Sequence, residues 1–286
     1  MVRLTTTARV LLHHGRNVAQ AAAGMLMPTK TALELAVRCR MTSMDIHLPI
    51  PSVFLAGMFP EQPPDSAIVV KVMAGTALNG APNIFEQFIL CALVKKIQPQ
   101  TILEIGTFKG ATTWHLYENA PPDATIYTLD LPDDEVPGDV TDVQLAANKR
   151  RPFLPSSNRV RQILIDSKKW DGVLDRKVQF AFIDADHSYE GIRNDTEKTL
   201  PLLDSYACIC WHDAFEKDFG YGTMPYLLEL RKKGWKIFRL RSIHEISSIA
   251  IWMSEPMLER LKVPAPQSGA LLSRYYSGVD WYNSRL

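Results

Sequence analysis

From Gln100 onward the chain alternates between short apolar runs rich in β-branched and aromatic residues and longer amphipathic stretches. The runs predict strands at Thr101–Ile105, Thr125–Asp130, Val160–Asp166, Val178–Asp184, Ala207–Trp211, Trp235–Leu240 and Ser247–Trp252. Spaced in this way, the first five read as βαβ units that build a parallel sheet. The near-continuous hydrophobicity of Val178–Ile183 suits a strand covered on both faces. Only Arg241–Ile246 joins the last two runs, too few residues for a helical crossover, so those two pair antiparallel. The expected fold is α/β: a Rossmann-like sheet of seven strands with the last one reversed and helices on both faces.

The amphipathic stretches support the helices between strands. Ile84, Phe85, Phe88, Ile89, Leu93 and Ile97 form one stripe that ends before Pro99. Tyr189, Ile192, Thr196, Leu200 and Leu203 form another, with Ser188 as N-cap. A helix over Tyr226–Lys233 stops at Gly234. The acidic segment Leu131–Val140, with its two prolines and a glycine, reads as an irregular surface loop.

Three segments are expected: a mostly helical N-terminal extension over 1–79, the α/β domain over 80–255, and a C-terminal tail over 256–286. Thr31–Cys39 is the clearest helix of the extension, followed by a Pro-rich passage from Pro49 to Pro64. No acidic residue precedes Glu34, whereas Arg3, Arg9, Arg16 and Lys30 do. That bias resembles a transit peptide or a basic membrane-surface segment, but the low Ser content favours a basic helical extension of a cytoplasmic protein. Such an extension suits self-association into a homo-oligomer. The tail aromatics Tyr275, Tyr276, Trp281 and Tyr282 suit packing on the protein's own core, a lid, or a dimer contact.

Charge excludes some functions. The 32 Lys and Arg balance 31 Asp and Glu, which leaves no electrostatic footprint for nucleic acid. No run approaches the ~18 apolar residues of a membrane-spanning helix. Cys39, Cys91, Cys208 and Cys210 lack both the number for a disulfide framework and the spacing for a metal knuckle, and read as reduced core thiols.

The chemistry-bearing residues fall at strand ends. Ile102-Leu-Glu-Ile-Gly-Thr-Phe-Lys-Gly110 runs from a strand into a helix start, with Gly106 for a tight turn and Gly110 where a side chain must be absent. The pattern is Glu-x-Gly-x-x-x-Gly, not the dinucleotide Gly-x-Gly-x-x-Gly. Glu104 would repel a pyrophosphate but pair with an ammonium group, which points to a ligand with an amino-acid moiety. Asp130 lies 26 residues after Glu104, where α/β folds set a carboxylate on ribose hydroxyls. Asp166 ends the third strand and can accept from the exocyclic amine of a purine. With Asp184, these acids line the carboxyl edge, where such sheets bind ligands.

Leu103-Glu-Ile-Gly-Thr-Phe-Lys-Gly110, Tyr127-Thr-Leu-Asp130, Phe182-Ile-Asp-Ala-Asp-His-Ser-Tyr-Glu190 and Trp211-His-Asp213 resemble the class I S-adenosylmethionine-dependent methyltransferases, most of all the small-molecule O-methyltransferases of the catechol and macrocin (sugar) type. The resemblance spans roughly 80–255 and implies the strand order 3-2-1-4-5-7-6. It implies that Glu104, Gly106, Thr107 and Gly110 hold the methionine end of S-adenosylmethionine and Asp130 its ribose. Asp166 and Ser167 then lie near the adenine, with Asp184 beside the cofactor. Metal-dependent relatives bind Mg²⁺ through positions that fall here on Asp184, His212 and Asp213. His212 in place of an acid weakens Mg²⁺, favours Mn²⁺ or Fe²⁺, or does not ligate. Asp186 and His187 are the candidate general bases for deprotonating a hydroxyl of a small-molecule acceptor: a sugar, a polyketide or a phenol. His115, His13 and His14 read as structural or surface residues, and Tyr189 as part of its helix stripe. Two rival readings stay open: an NAD-dependent oxidoreductase on a related sheet, and a non-catalytic cofactor-binding module.

Overall fold

A computed structural model of the chain describes residues 52–54, 68–70, 82–133, 135, 151–214, 222–241 and 246–263. The expected helix at Thr31–Cys39, His13 and His14, the four tail aromatics and most of the 131–140 loop lie outside these residues. In chain order the described elements are β1 (Ser52–Phe54), α1 (Ile84–Ile97), β2 (Thr101–Ile105), α2 (Ala111–Asn119), β3 (Thr125–Asp130), β4 (Val160–Leu164) and β5 (Val178–Ile183). There follow α3 (Tyr189–Thr199), a 3₁₀ turn (Leu200–Leu202), β6 (Leu203–Trp211), α4 (Thr223–Lys232), β7 (Ile237–Arg241), β8 (Ile246–Met253) and α5 (Glu255–Leu261).

The eight strands lie in the order β1-β7-β8-β6-β5-β2-β3-β4. Without β1 this is the expected 3-2-1-4-5-7-6 arrangement, and β8 runs antiparallel to both β6 and β7. β1 extends the sheet by pairing parallel to β7, with Ser52 opposite Arg239 and Phe54 opposite Arg241. It arises inside the Pro-rich passage, where no strand was expected, and three residues are too few for a periodic signal.

Alternation along the strands supplies both layers of the core. Ile102, Ile126, Phe180, Phe182, Cys208 and Cys210 face α1, α2 and α5 with Leu93, Leu116 and Met257. Leu103, Ile105, Leu129, Ala181, Ile183, Ile209 and Trp211 face α3 and α4 with Ile192, Tyr226 and Leu227. Both faces of the central strands are therefore apolar, as a parallel sheet requires. Each fully buried Phe or Leu contributes about 1.5–3 kcal/mol.

Several boundaries differ from the sequence reading. The first turn of α1 buries Glu86 and Gln87, while Ile84, expected on the apolar stripe, is 59% exposed. Leu203, expected on a helix stripe, opens β6 after the 3₁₀ turn. α4 starts at Thr223 and closes at Gly234, whose φ of 95° only glycine adopts freely. Residues 255–261, most of them assigned to the tail, form α5, capped by the Ser254 hydroxyl, which accepts from the Met257 amide at 3.4 Å. The α3 N-cap is Ser188 as expected, its Oγ accepting from the Gly191 amide at 3.0 Å. Residue Val69 is tied to the end of α2 by a two-way amide pair with the Asn119 side chain, 2.8 Å each way.

Candidate active site

The parallel ladder continues one residue beyond the strand ends, and this fixes the site. The Gly106 amide donates to Leu129 O at 2.8 Å, Asp184 N to Ile105 O at 2.8 Å, and His212 N to Ile183 O at 3.1 Å. Residues 106, 184 and 212 are thereby set side by side at the carboxyl edge, where open α/β sheets take ligands. A Cβ added at Gly106 would lie 2.1 Å from the carbonyl oxygen of Asp184, so the turn after β2 and the end of β5 touch through backbone alone. Gly110 has the same origin, since a Cβ there would meet the backbone nitrogen of Leu154 at 2.6 Å. Both glycines serve the protein's own packing. The amides of Gly106, Phe108 and Gly110 are spent on Leu129 O, the Asp130 carboxylate and Thr107 O, so the turn is not an open cradle of donors.

On the β2–β3 side the carboxylates meet hydroxyls and backbone amides, with the Arg151 guanidinium beside Asp130. Glu104 is wholly buried, and its Oε2 accepts from the hydroxyls of Thr113 and Thr128, both at 2.5 Å. Thr128 spends its proton there, so Thr107 is the donor in the 2.6 Å bond between their hydroxyls. The other oxygen, Oε1, is buried without a hydrogen-bond partner among the described residues. Burial pushes the Glu104 carboxyl up to about 8, against the lowering effect of the two threonines. Asp130 accepts from the amides of Phe108 and Leu131 at 2.9 Å each and lies 3.7 Å from Arg151. Burial raises it as well, while those amides and Arg151 work the other way. Asp166 closes its own turn on the Lys168 amide at 2.9 Å, and Ser167 reaches the Asn194 side chain at 3.5 Å.

On the β5–β6 side the partners are imidazoles. Asp184 Oδ1 lies 3.0 Å from His212 Nδ1 and 3.3 Å from His187 Nε2. Asp213, its backbone at φ 49°, turns back so that Oδ1 lies 3.3 Å from His212 Nδ1 and Oδ2 3.3 Å from His187 Nε2. One ligand atom from each of these four residues lies within 4.8 Å of all the others. Burial opposes the charge on Asp184, yet His212 and His187 hold its carboxyl below the usual range. Burial likewise opposes the charge on His212, but Asp184, Glu86 and Asp213 raise it well above an ordinary histidine. Asp213 is raised, by burial first and by the neighbouring carboxylates Asp184 and Glu86.

The structure gathers Asp184, His187, His212 and Asp213, and it sets Asp186 apart from them. The Asp186 carboxylate turns to Lys168 Nζ at 2.9 Å and takes the Ser188 amide at 2.9 Å, over the first turn of α3. Tyr189 hydrogen-bonds Glu229 and packs edge-on to Tyr226. His115 bonds Ala111 O through Nδ1 at 2.7 Å inside α2 and is structural, as read. Glu86 was missed. It sits at the third position of α1 with Oε2 3.2 Å from His212 Nε2, and the capping-box pattern Asn83-x-x-Glu86 was the available signal.

The chemistry of the donor set fits a divalent ion. His212 Nδ1 lies 3.0 Å from Asp184 Oδ1 and 3.3 Å from Asp213 Oδ1, and the ligand atoms of all three residues lie within 4.8 Å of one another. Ligands at right angles and ~2.1 Å from one ion are about 3.0 Å apart.

Comparison with known proteins bears on the fold. Residues 103–214 match a family model described as a methyltransferase domain. No curated protein matches the sequence. Among solved structures, the S-adenosylhomocysteine-bound methyltransferase PaMTH1 of Podospora anserina is 16% identical, with 63% of this chain and 82% of that one covered at a TM-score of 0.50. The O-methyltransferase TomG of Streptomyces achromogenes, of tomaymycin synthesis, is 16% identical over 62% and 83% at 0.44. An O-methyltransferase of Bacillus cereus is 15% identical over 64% and 86% at 0.46. Residues 103–214 are thus similar in sequence to a methyltransferase domain, and the likeness to PaMTH1 shows the fold.

Proposed function

We propose that the protein methylates a hydroxyl oxygen of a small molecule, a sugar, polyketide or phenol, with a divalent ion held by Asp184, His212 and Asp213. The observation that carries this reading is the direct contact between the Gly106 turn and Asp184, which sets a donor-binding edge against a cluster of acids and imidazoles. S-adenosylmethionine, when bound, would supply a sulfonium methyl open to in-line displacement, and a divalent ion on Asp184, His212 and Asp213 would lower the pKa of the accepting hydroxyl.

The chain's own groups do the rest. The unpartnered Oε1 of Glu104 is the atom an ammonium group would satisfy, and a carboxyl held near 8 ionises when that cation arrives. Asp130 retains one lone pair on each oxygen and is 21% exposed, so it can accept from two ribose hydroxyls. Thr107 orients Thr128 on Glu104, and Gly110 lets the 151–157 segment close over the turn. Asp166 and Ser167 form the neighbouring turn on the adenine side. His187, 21% exposed, is the candidate general base, and Asp184 and Asp213, each 3.3 Å from its Nε2, stabilise its imidazolium form. Asp186 sets the loop through Lys168 and Ser188.

Glu104 at the β2 end and the absence of a Gly-x-Gly-x-x-Gly turn leave the oxidoreductase reading without support. The test is isothermal titration with S-adenosylmethionine, then transfer to small hydroxylic acceptors with and without EDTA. Micromolar donor binding and EDTA-sensitive transfer are expected, and no donor binding by the wild-type chain would end the reading.

A further inference from the structure

Glu86 does more than cap a helix. As the third residue of α1 it completes a capping box: Asn83 Oδ1 accepts from the Phe85 and Glu86 amides at 3.0 Å, and Glu86 Oε2 accepts from the Asn83 amide at 3.1 Å. A capping glutamate can do this at the surface. Glu86 instead is 4% exposed, and its Oε1 takes both the amide and the hydroxyl of Ser248 on β8 at 2.6 Å. Burying a carboxylate costs several kcal/mol unless its partners compensate, and the capping box does not need it. Its remaining contact is His212 Nε2 at 3.2 Å, across the imidazole from Asp184 and Asp213.

A carboxylate on the outer nitrogen of a ligating imidazole fixes which nitrogen carries the proton and where the other points. Here the Nε2–H is given to Glu86, which leaves Nδ1 aimed at the space shared with Asp184 and Asp213. We infer that Glu86 is a positioning residue, set by α1 and β8, that commits His212 Nδ1 to metal ligation and so tunes the site to a borderline ion of the Mn²⁺, Fe²⁺ or Co²⁺ class over Mg²⁺. The ion preference follows from the donor set, since Mg²⁺ favours oxygen and gains little from imidazole, whereas these ions accept it. The inference rests on the ion site of the proposed function and extends it with a residue on a different element and with the class of ion.

Titration of the full chain with CoCl₂, MnCl₂ or MgCl₂ alone, without methyl donor, tests it. Wild type should bind Co²⁺ at least about ten-fold tighter than Mg²⁺, and Glu86→Gln should lose about 10–100-fold of the Co²⁺ affinity. Equal affinity for Co²⁺ and Mg²⁺, or a folded E86Q with unchanged Co²⁺ binding, would overturn the inference. Should E86Q not fold, electron spin-echo modulation of Mn²⁺ bound to the wild type decides. An imidazole nitrogen coupling that vanishes in His212→Asn supports the assignment, and one that persists refutes it. Titration with S-adenosylmethionine in parallel separates the two proposals. Donor binding with ions indifferent to Glu86 sinks only this one, and ion selectivity without donor binding sinks only the methyl-transfer reading.

Discussion

The two halves of the sheet's carboxyl edge use the same residue types to opposite effect. At the ends of β2 and β3, Glu104 and Asp130 are surrounded by hydroxyls and backbone amides, and burial lifts both carboxyls. At the ends of β5 and β6, Asp184 is also largely buried, yet His212 and His187 hold it low, and His212 with Ser248 does the same for Glu86 against its burial. Hydroxyls and amides leave a buried acid ready to take up a cation, while the imidazoles hold Asp184 and Glu86 low; Asp213, beside the same imidazoles, is raised by burial and by those two carboxylates. One half is thereby suited to receiving a ligand's ammonium and hydroxyls, and the other to handling a proton and an ion.

The largest effect should come from breaking the charged half. Asp184 faces both histidines and abuts the Gly106 turn, so Asp184→Asn removes the negative centre of the cluster. Methyl transfer should fall by about 10³-fold or more, and unpairing buried charge should lower stability by roughly 3–5 kcal/mol. Measured kcat and a thermal melt decide, and a variant within ten-fold of wild type would dissolve the contrast between the halves. His187→Ala should lose about 10²–10⁴ in kcat, the usual worth of a positioned base, with donor affinity unchanged. A rise in KM for the donor instead would move His187 to the other half.

Most of this division was legible in the sequence, because strand ends are legible. Apolar runs that stop at Glu104, Asp130, Asp166 and Asp184 put acids at one edge before any coordinates are known. What the sequence could not supply was side-chain direction. Asp186 and His187 are neighbours, yet one turns to Lys168 and the other to Asp184 and Asp213. Glu86 is 126 residues from His212, and only the docking of α1 against β8 joins them. β1 and α5 were missed for a different reason: three residues, and seven beginning with Glu255-Pro256, carry too little periodicity to stand out.

On the β2–β3 half, Asp130→Ala should weaken S-adenosylmethionine by about 10–100-fold, the loss of one or two hydrogen bonds to a charged acceptor, while Co²⁺ affinity stays put. Coupled losses would mean that the halves are one site energetically. Glu104 offers a quieter test on the free enzyme. Its folded carboxyl near 8 lies above the unfolded value of 4.5, so the native state binds the extra proton between them. Its contribution is therefore best below about 4.5 and is lost as pH rises to about 8, a fall of a few kcal/mol. Glu104→Gln should flatten the stability profile between pH 5 and 8 relative to wild type. An unchanged profile would show that the Glu104 carboxylate is charged and compensated in the free protein.

Asp186 should show the smallest effect, and it sharpens the boundary. Burial works to raise its carboxyl, but Lys168 and the Ser188 amide hold it below the ordinary aspartate value, and a base so lowered is poorly matched to a hydroxyl. Its ion pair joins side chains that are 40% and 54% exposed, which limits it to about 0–1 kcal/mol. Asn keeps an oxygen for the Ser188 amide, so Asp186→Asn should reduce kcat less than about three-fold. The His187→Ala profile supplies the scale on which that number is read. If D186N matched H187A in depth, the proton would leave through the loop over α3, and the histidine between Asp184 and Asp213 would be left with a structural part alone.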